Sequence, residues 1–183
     1  MSEGGVLFDK GNSVHPGILR IGFGDIRHNP NNKSSIWIMG KLIIHGSGMH
    51  SFGNGTRLII GEKGILEIGN NFTASVENRI RCDYHIQVGD DNMWSYNNVI
   101  MDTDGHQITN YEGDIVNKPR TVCFGNHVWL GCNNTVLKGS IIPDGCIVAS
   151  CSVIAGVYTE SHCIISSNKS ILKRNINWNR GSF

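Results

Sequence analysis

At 183 residues with a formal net charge of +1, the chain is long enough for one sizeable core. It carries no global field for nucleic acid or an anionic membrane surface. Glycine is abundant at 23 residues, proline sparse at 4, and charged residues only 17% of the total. Many tight turns are therefore expected rather than a helical bundle, with some apolar surface covered by partner subunits. No basic region leads into an apolar run at the start, and no apolar stretch approaches the roughly 18 residues of a membrane span, so neither a signal peptide nor a membrane insertion is expected.

Residues 1–33 carry Gly, Asn and Pro and read as an N-terminal extension. SSIWIMGKLIIHG (Ser34–Gly46) and TRLIIGEKGILEIG (Thr56–Gly69) read as short strands with glycine turns, the irregular opening of a domain spanning 34–166. A rhythm of six then begins with Ile68, Ala74, Ile80 and Ile86 and, after a two-residue slip, Val88, Trp94 and Ile100. It becomes nearly strict at Phe124, Leu130, Val136, Ile142, Val148 and Ile154, with the small residues Asn134, Ser140, Cys146 and Ser152 four places after the middle ones. A period of six fits neither a helix nor a lone strand. It fits a coil of three short strands with one aliphatic side chain pointing inward from each face and a small residue at each corner. Stacked coils form a triangular prism, an all-β parallel β-helix of hexapeptide repeats.

Between the two runs, residues 101–122 leave the rhythm. IMDTDGHQITN (Ile100–Asn110) opens this loop and KPRTV closes it. The loop is expected to be ejected from the prism and to carry chemistry. A neutral imidazole at His106 can take a proton near pH 7, and a nearby carboxylate can hold its tautomer. Asp102 and Asp104 are both candidates, and in an extended backbone Asp104 and His106 share a face. The plainer reading is turn chemistry, since Asp and Gly initiate turns.

The six cysteines, Cys82, Cys123, Cys132, Cys146, Cys151 and Cys163, show no C-x-x-C spacing. They are expected to be reduced and to act as small apolar residues, which implies a cytoplasmic setting. Residues 167–183 leave the hexad and carry Lys169, Lys173, Arg174 and Arg180, with no acidic residue after Glu160. This tail is expected as a short basic helix or an extended segment. It either caps the exposed end of the prism or contacts a ligand.

The run FGNHVWLGCNNTVLKGSIIPDGCIVASCSVIAG resembles the acetyl-coenzyme A-dependent acyltransferases of the left-handed β-helix superfamily, which include serine, galactoside and maltose acetyltransferases. DTDGH in an ejected loop, followed by VWLG, is most similar to the branch that acetylates bacterial surface polysaccharides or their sugar precursors. The resemblance covers roughly Ile68 to Trp178. It implies a left-handed coil and a homotrimer with active sites in the grooves between prisms. It also implies acetyl-CoA as donor and a sugar as acceptor, through a hydroxyl or an amine, with His106 as general base.

Matched position by position, the donor would lie along Trp129, Gly131, Cys132, Ser150 and Ala155, with Gly156 beside it. Lys173 and Arg174 would take the coenzyme's phosphates, and the acceptor would meet the segment from Ser75 to Asn78. One departure is plain: SNKSIL stands from Ser167 where the family has a Gly-Asn-Pro-Ala-Lys turn. Two other classes use the same scaffold. A zinc hydratase resembling the β-helix carbonic anhydrases would need His106, His127 and Cys132 as ligands, and a non-catalytic sugar-binding scaffold would need none of this chemistry.

Overall fold

The computed structural model describes residues 4–9, 14–23 and 32–181. The chain winds into three faces, each a sheet of stacked strands. The first sheet holds Gly5–Phe8, Lys41–Ile44, Ile65–Ile68, His85–Val88, Val122–Phe124 and Ile141–Ile142. The second runs from Leu19–Ile21 and His50–Phe52 through Thr73–Ala74, Met93–Trp94, Trp129–Leu130, Ile147–Val148 and Ile164–Ile165 to Ile171–Lys173. The third comprises Ser35–Ile38, Arg57–Ile60, Arg79–Cys82, Val99–Met101, Thr135–Val136 and Val153–Ile154. All pairings in the three sheets are parallel except the last of the second sheet, where Ile171–Lys173 runs antiparallel to Ile164–Ile165.

Two parts of the chain take a definite form here. The described part of the N-terminal extension is wound into the prism: Gly5–Phe8 pairs in register with Lys41–Ile44, and Leu19–Ile21 with His50–Phe52. Among the described residues there is no helix, so the C-terminal tail takes the extended form of the two expected.

Every hexad position points inward. Phe124, Leu130, Val136, Ile142, Val148 and Ile154 are buried, as are Ile68, Ala74, Ile80, Ile86, Val88, Trp94 and Ile100. Burying such a side chain is worth roughly 1.5–3 kcal/mol. An aromatic column runs along the axis. Ring centroids lie 5.2 Å apart for Phe52 and Phe72, 4.9 Å for Phe72 and Trp94, and 4.8 Å for Trp94 and Phe124.

The corners do more than make room. Asn78, Asn98, Asn134 and Ser152 stack at one corner and are all buried. The Asn78 Oδ1 accepts the backbone N–H of Asn98 at 3.1 Å, Asn98 Oδ1 that of Asn134 at 2.9 Å, and Asn134 Oδ1 that of Ser152 at 2.7 Å. A second corner works in the opposite sense. Backbone N–H groups of Asn70, Asp90 and Asn126 donate to the side chains of Asp90, Asn126 and Asp144 one coil further on. Corner backbone cannot pair in a sheet, and these ladders supply the missing acceptors. The positions just before the Asn98, Asn134 and Ser152 rungs, Asn97, Asn133 and Cys151, have φ of 57°, 58° and 60°, a left-handed conformation that asparagine tolerates.

The spacing shows where the coil is interrupted. Phe124, Leu130 and Val136 pair with Ile142, Val148 and Ile154, 18 places on. Val88, Trp94 and Ile100 pair with Phe124, Leu130 and Val136, 36 places on. The extra length is ejected as the expected loop, and the core register continues across it unbroken.

Replacing Asn134 with Ala removes an acceptor for Ser152 and a donor to the Gly131 carbonyl without changing the apolar core. The expected loss is about 1–3 kcal/mol of unfolding free energy, read as a lowered urea midpoint. An unchanged midpoint would show that the ladder is dispensable.

Candidate active site

The loop leaves and re-enters through one neck. Asp102 is buried, and its carboxylate accepts the backbone N–H groups of Asp83 at 2.9 Å and Tyr84 at 2.8 Å in the coil before. Its carbonyl accepts the N–H of Arg120, where the chain returns, at 3.0 Å. Asp102 is thus the acceptor at the third corner, serving the coil before it as Asp90, Asn126 and Asp144 do at the second.

Beyond the neck the chain folds back on itself as a hairpin. Thr109 bridges Ile115 in antiparallel fashion, and the Val116 N–H donates to the Ile108 carbonyl at 2.9 Å. Asn117 ties the base of this hairpin. Its Oδ1 accepts the Ile108 N–H at 2.7 Å, and its Nδ2 donates to the Asp104 carboxylate and to the His106 carbonyl, each at 2.8 Å. The ammonium of Lys138 binds the same Asp104 carboxylate and the Asn117 carbonyl. The Lys138 ammonium first, then the Asn117 amide, hold the Asp104 carboxyl below its ordinary pKa.

His106 is therefore fixed through its backbone while its ring stays exposed, with no hydrogen-bond partner among the described residues. It lines a cavity of about 220 Å³ together with Thr103, Gln107, Ile115, Lys118 and Pro119. A neighbouring cavity of about 320 Å³ adds Arg120 and Lys138. Neither candidate aspartate orients the ring: Asp102 serves the neck, and Asp104 serves Lys138 and Asn117. The expected two-residue alternation fails because Gly105, with φ of 78°, turns the chain between Asp104 and His106.

Along the corner between the second and third sheets, the expected donor residues fall partly together. The Cys132 N–H donates to Ser150 Oγ at 3.2 Å, with Cys132 Sγ 3.3 Å from the same oxygen. The Ser150 hydroxyl holds the Cys132 thiol below its ordinary pKa. A Cβ on Gly131 would stand 2.7 Å from the Val148 carbonyl oxygen and 2.8 Å from Ser150 Oγ, so the stack admits no side chain there. Trp129 Nε1 donates to Ser95 Oγ at 3.3 Å, and Ala155 and Lys173 are exposed.

Arg174 is occupied. Its guanidinium grips Glu160 through two bonds of 2.7 and 3.1 Å. Lys169 lies nearer the coil, its Cε 3.0 Å from where a Cβ of Gly156 would stand. On the acceptor side, Ser75 lines a cavity of about 300 Å³ with Thr73, Met93, Ser95 and Tyr96. Asn78 does not join it, because both ends of its amide are bonded within the corner ladder.

The tail is strapped to the prism. His127 is stacked on Trp178 with centroids 4.0 Å apart, its Nδ1 on Asp91 at 2.6 Å and its Nε2 on the Trp178 carbonyl at 2.9 Å. Arg180 adds bonds to Asp91, Thr73 and the carbonyls of Asn71 and Asn92. Both nitrogens of His127 are thus engaged, and no cluster of three metal-ligating side chains occurs among the described residues of one chain.

No family model matches the chain. A polysialic acid O-acetyltransferase from Neisseria meningitidis is 46% identical over 55 residues, which are 30% of this chain and 26% of that protein. A galactoside O-acetyltransferase from Escherichia coli (strain K12) is 29% identical over 92 residues, 49% of this chain and 44% of the relative. The chain thus matches less than half the length of either curated relative. Among solved structures, the polySia-specific acetyltransferase NeuO superposes with a TM-score of 0.61 at 18% identity, over 97% of this chain and 86% of that one. This chain has the left-handed β-helix fold of the hexapeptide-repeat acetyltransferases. A maltose O-acetyltransferase from Clostridium difficile 630 follows at a TM-score of 0.51 and 19% identity, over 60% and 58% of the two chains. The resemblance read from the hexads and VWLG holds.

Asn117 and Lys138 went unread in the sequence. No periodicity marks a residue that closes a hairpin, and Lys138 sits inside the regular hexad run, where a charge reads as a solvated face. Replacing Asn117 with Ala is expected to raise hydrogen exchange at the Ile108 amide by about tenfold or more while leaving the core amides protected. Because the folded pKa of Asp104 lies below its unfolded value, its pairing is complete at neutral pH. It is lost only as pH falls through that lowered value, so the Asn117 side-chain amide resonances should shift in the acid range alone.

Proposed function

We propose that the chain transfers an acetyl group from acetyl-CoA to a sugar hydroxyl, acting as a homotrimer in the cytoplasm during the building of a surface polysaccharide. The observation that carries this reading is His106: an exposed ring without a partner among the described residues, on a hairpin whose backbone is fixed by Asn117. A rigid base with a free nitrogen suits proton abstraction from a bound substrate. The relatives support the acceptor class, since their names specify polysialic acid, galactoside and maltose.

The chemistry is acyl transfer. A ring nitrogen of His106 takes the hydroxyl proton as the oxygen attacks the thioester carbonyl. The C–S bond then breaks, and the coenzyme A sulfur leaves with the proton returned from the imidazolium. An ester and a free thiol result. The donor would run along Cys132 and Ser150, where small side chains leave the corner open, with Trp129 and Ala155 flanking it. Among the described residues of the tail, Lys173 and Lys169 carry no carboxylate partner and would meet its phosphates, while Arg174 holds Glu160 and Arg180 holds Asp91.

The hairpin also carries the argument for a trimer. Ile108, Tyr111, Ile115 and Val116 are all exposed on it, an apolar arm suited to a neighbouring prism. Among the described residues no hydrogen bond joins His106 to Cys132 or Ser150, in keeping with a site divided between subunits.

Replacing His106 with Ala is expected to lower kcat by about a hundred- to ten-thousand-fold with acetyl-CoA binding by calorimetry unchanged. Unaltered turnover would sink the assignment. Bound acetyl-CoA should also slow alkylation of Cys132, read by mass spectrometry. Equal labelling with and without acetyl-CoA would remove Cys132 from the donor groove.

A further inference from the structure

The first strand, Gly5–Phe8, stands at the edge of its sheet and pairs only with Lys41–Ile44. The Gly5 N–H donates to the Gly40 carbonyl at 2.9 Å, and the Asp9 N–H to the Ile44 carbonyl at 3.2 Å. Burial adds little. Val6 and Leu7 are exposed, although Val6 lies in register with the buried Leu42, and of this strand Phe8 alone packs against the core. An edge strand with so little apolar burial needs a further tie.

His45 supplies it. Its Nδ1 lies 2.6 Å from an Asp9 carboxylate oxygen, just past the first strand, and its Nε2 lies 3.3 Å from a Glu67 oxygen on the next coil. The other Glu67 oxygen accepts His85 Nε2 at 3.0 Å, one coil further on. The series Asp9, His45, Glu67 and His85 therefore crosses the first four strands of the sheet.

Each ring nitrogen of His45 faces a carboxylate, which can only accept. A neutral imidazole carries one N–H and would turn a lone pair towards one of the two. Only the imidazolium donates to both. Partial burial opposes the charge, but Asp9, and then Glu67, outweigh it and hold the imidazole above its ordinary pKa of 6.5. The other ionisable groups nearby are engaged elsewhere or point to solvent. Asp90 accepts the Asn70 N–H, His15 meets the Ser47 carbonyl, and His50 lies between the carbonyls of Ile18 and Gly69. Lys41, on the same strand that leads to His45, is exposed. Among the described residues no lysine or arginine pairs with Asp9 or Glu67.

We infer that His45 is a proton-operated latch on the first strand: the imidazolium clasps Asp9 to Glu67, and loss of its proton loosens Gly5–Phe8 from Lys41–Ile44. The sign follows from the raised pKa. The clasp is complete below the unfolded value and is lost as pH rises through the folded one. The strand is held in mild acid and loosened in mild alkali. The coils beyond it, tied by buried aliphatic side chains, do not respond. Release leaves Lys41–Ile44 as the open edge of the sheet, a row of backbone groups that another strand can pair. The latch needs nothing from the transferase reading.

The test is amide hydrogen exchange on the full chain, read as protection factors so that the intrinsic pH dependence of exchange cancels. Between about pH 6 and about pH 9, protection at Gly5 and Asp9 should fall about threefold to tenfold. Protection at Leu66 and Ile86 should stay constant. H45Q should show the low protection at every pH. D9A, which cuts the strand from the clasp and spares the imidazole, should behave as H45Q does. H85Q leaves both His45 contacts in place and should keep the response. Nitrogen NMR at about pH 6 should find both ring nitrogens of His45 protonated. Flat protection in the unaltered chain, a parallel fall at Leu66 and Ile86, a response that survives H45Q or D9A, its loss in H85Q, or a neutral His45 ring in mild acid would each overturn the inference.

Discussion

Coil-on-coil hydrogen bonding is the constraint from which the rest of this molecule follows. Each strand contributes only two to four residues to its sheet, too few for independent stability. The backbone must turn a corner after every strand, where no sheet partner exists. The Asn78–Asn98–Asn134–Ser152 ladder and the Asn70–Asp90–Asn126–Asp144 ladder resolve this by bonding corner amides to side chains of the adjoining coil. A corner residue must accordingly be small enough to fit and polar enough to accept. That double demand explains why asparagine, aspartate and serine recur where steric reasoning alone would also admit alanine.

The ejected loop obeys the same rule. A prism built on vertical register admits an insertion only where the chain leaves and returns through one corner, so that later coils stack as though nothing intervened. Asp102 meets that demand: its carboxylate holds the preceding coil and its carbonyl holds Arg120 on the return. The neck being closed, the hairpin beyond it is organised locally by Asn117 and Lys138. A carboxylate that anchors a fold and one that pairs with an ammonium are both unavailable to an imidazole. His106 is consequently held through its backbone and, among the described residues, unengaged in its ring, as the proposed base would have to be before its substrate arrives.

The legible part of this protein was the part fixed by repetition. Hexad positions such as Leu130 and Val148 announce their burial because a triangular coil allows no other arrangement, and the ejected loop announces itself by breaking that pattern. Roles set by individual geometry stayed hidden. Asp102 reads as chemistry because it adjoins Asp104 and His106, although its environment is a corner. Asn78 lies in the expected acceptor segment, yet it turns inward as a rung. Arg174 has the right charge, but Glu160 lies fourteen places earlier in sequence and within bonding distance in space. The two strands in the described part of the N-terminal extension were hidden for the converse reason, since they take their register from later coils and carry no hexad of their own.

A stacked sheet repeats whatever its strands present, inside the prism and on its outer faces alike. Parallel pairing in register turns a residue choice made once per coil into a column with a spacing set by the backbone, about 4.8 Å. Inside the prism that property stacks Phe52, Phe72, Trp94 and Phe124 into a column. Outside, it aligns Arg57 with Arg79 at a separation where repulsion opposes folding unless anions intervene. Isolated surface charges on other faces find carboxylates nearby, as Arg174 and Arg180 do. Among the described residues the side chains of the pair on the third sheet find none, so the periodicity that builds the core also sets the spacing of charges on the outer face.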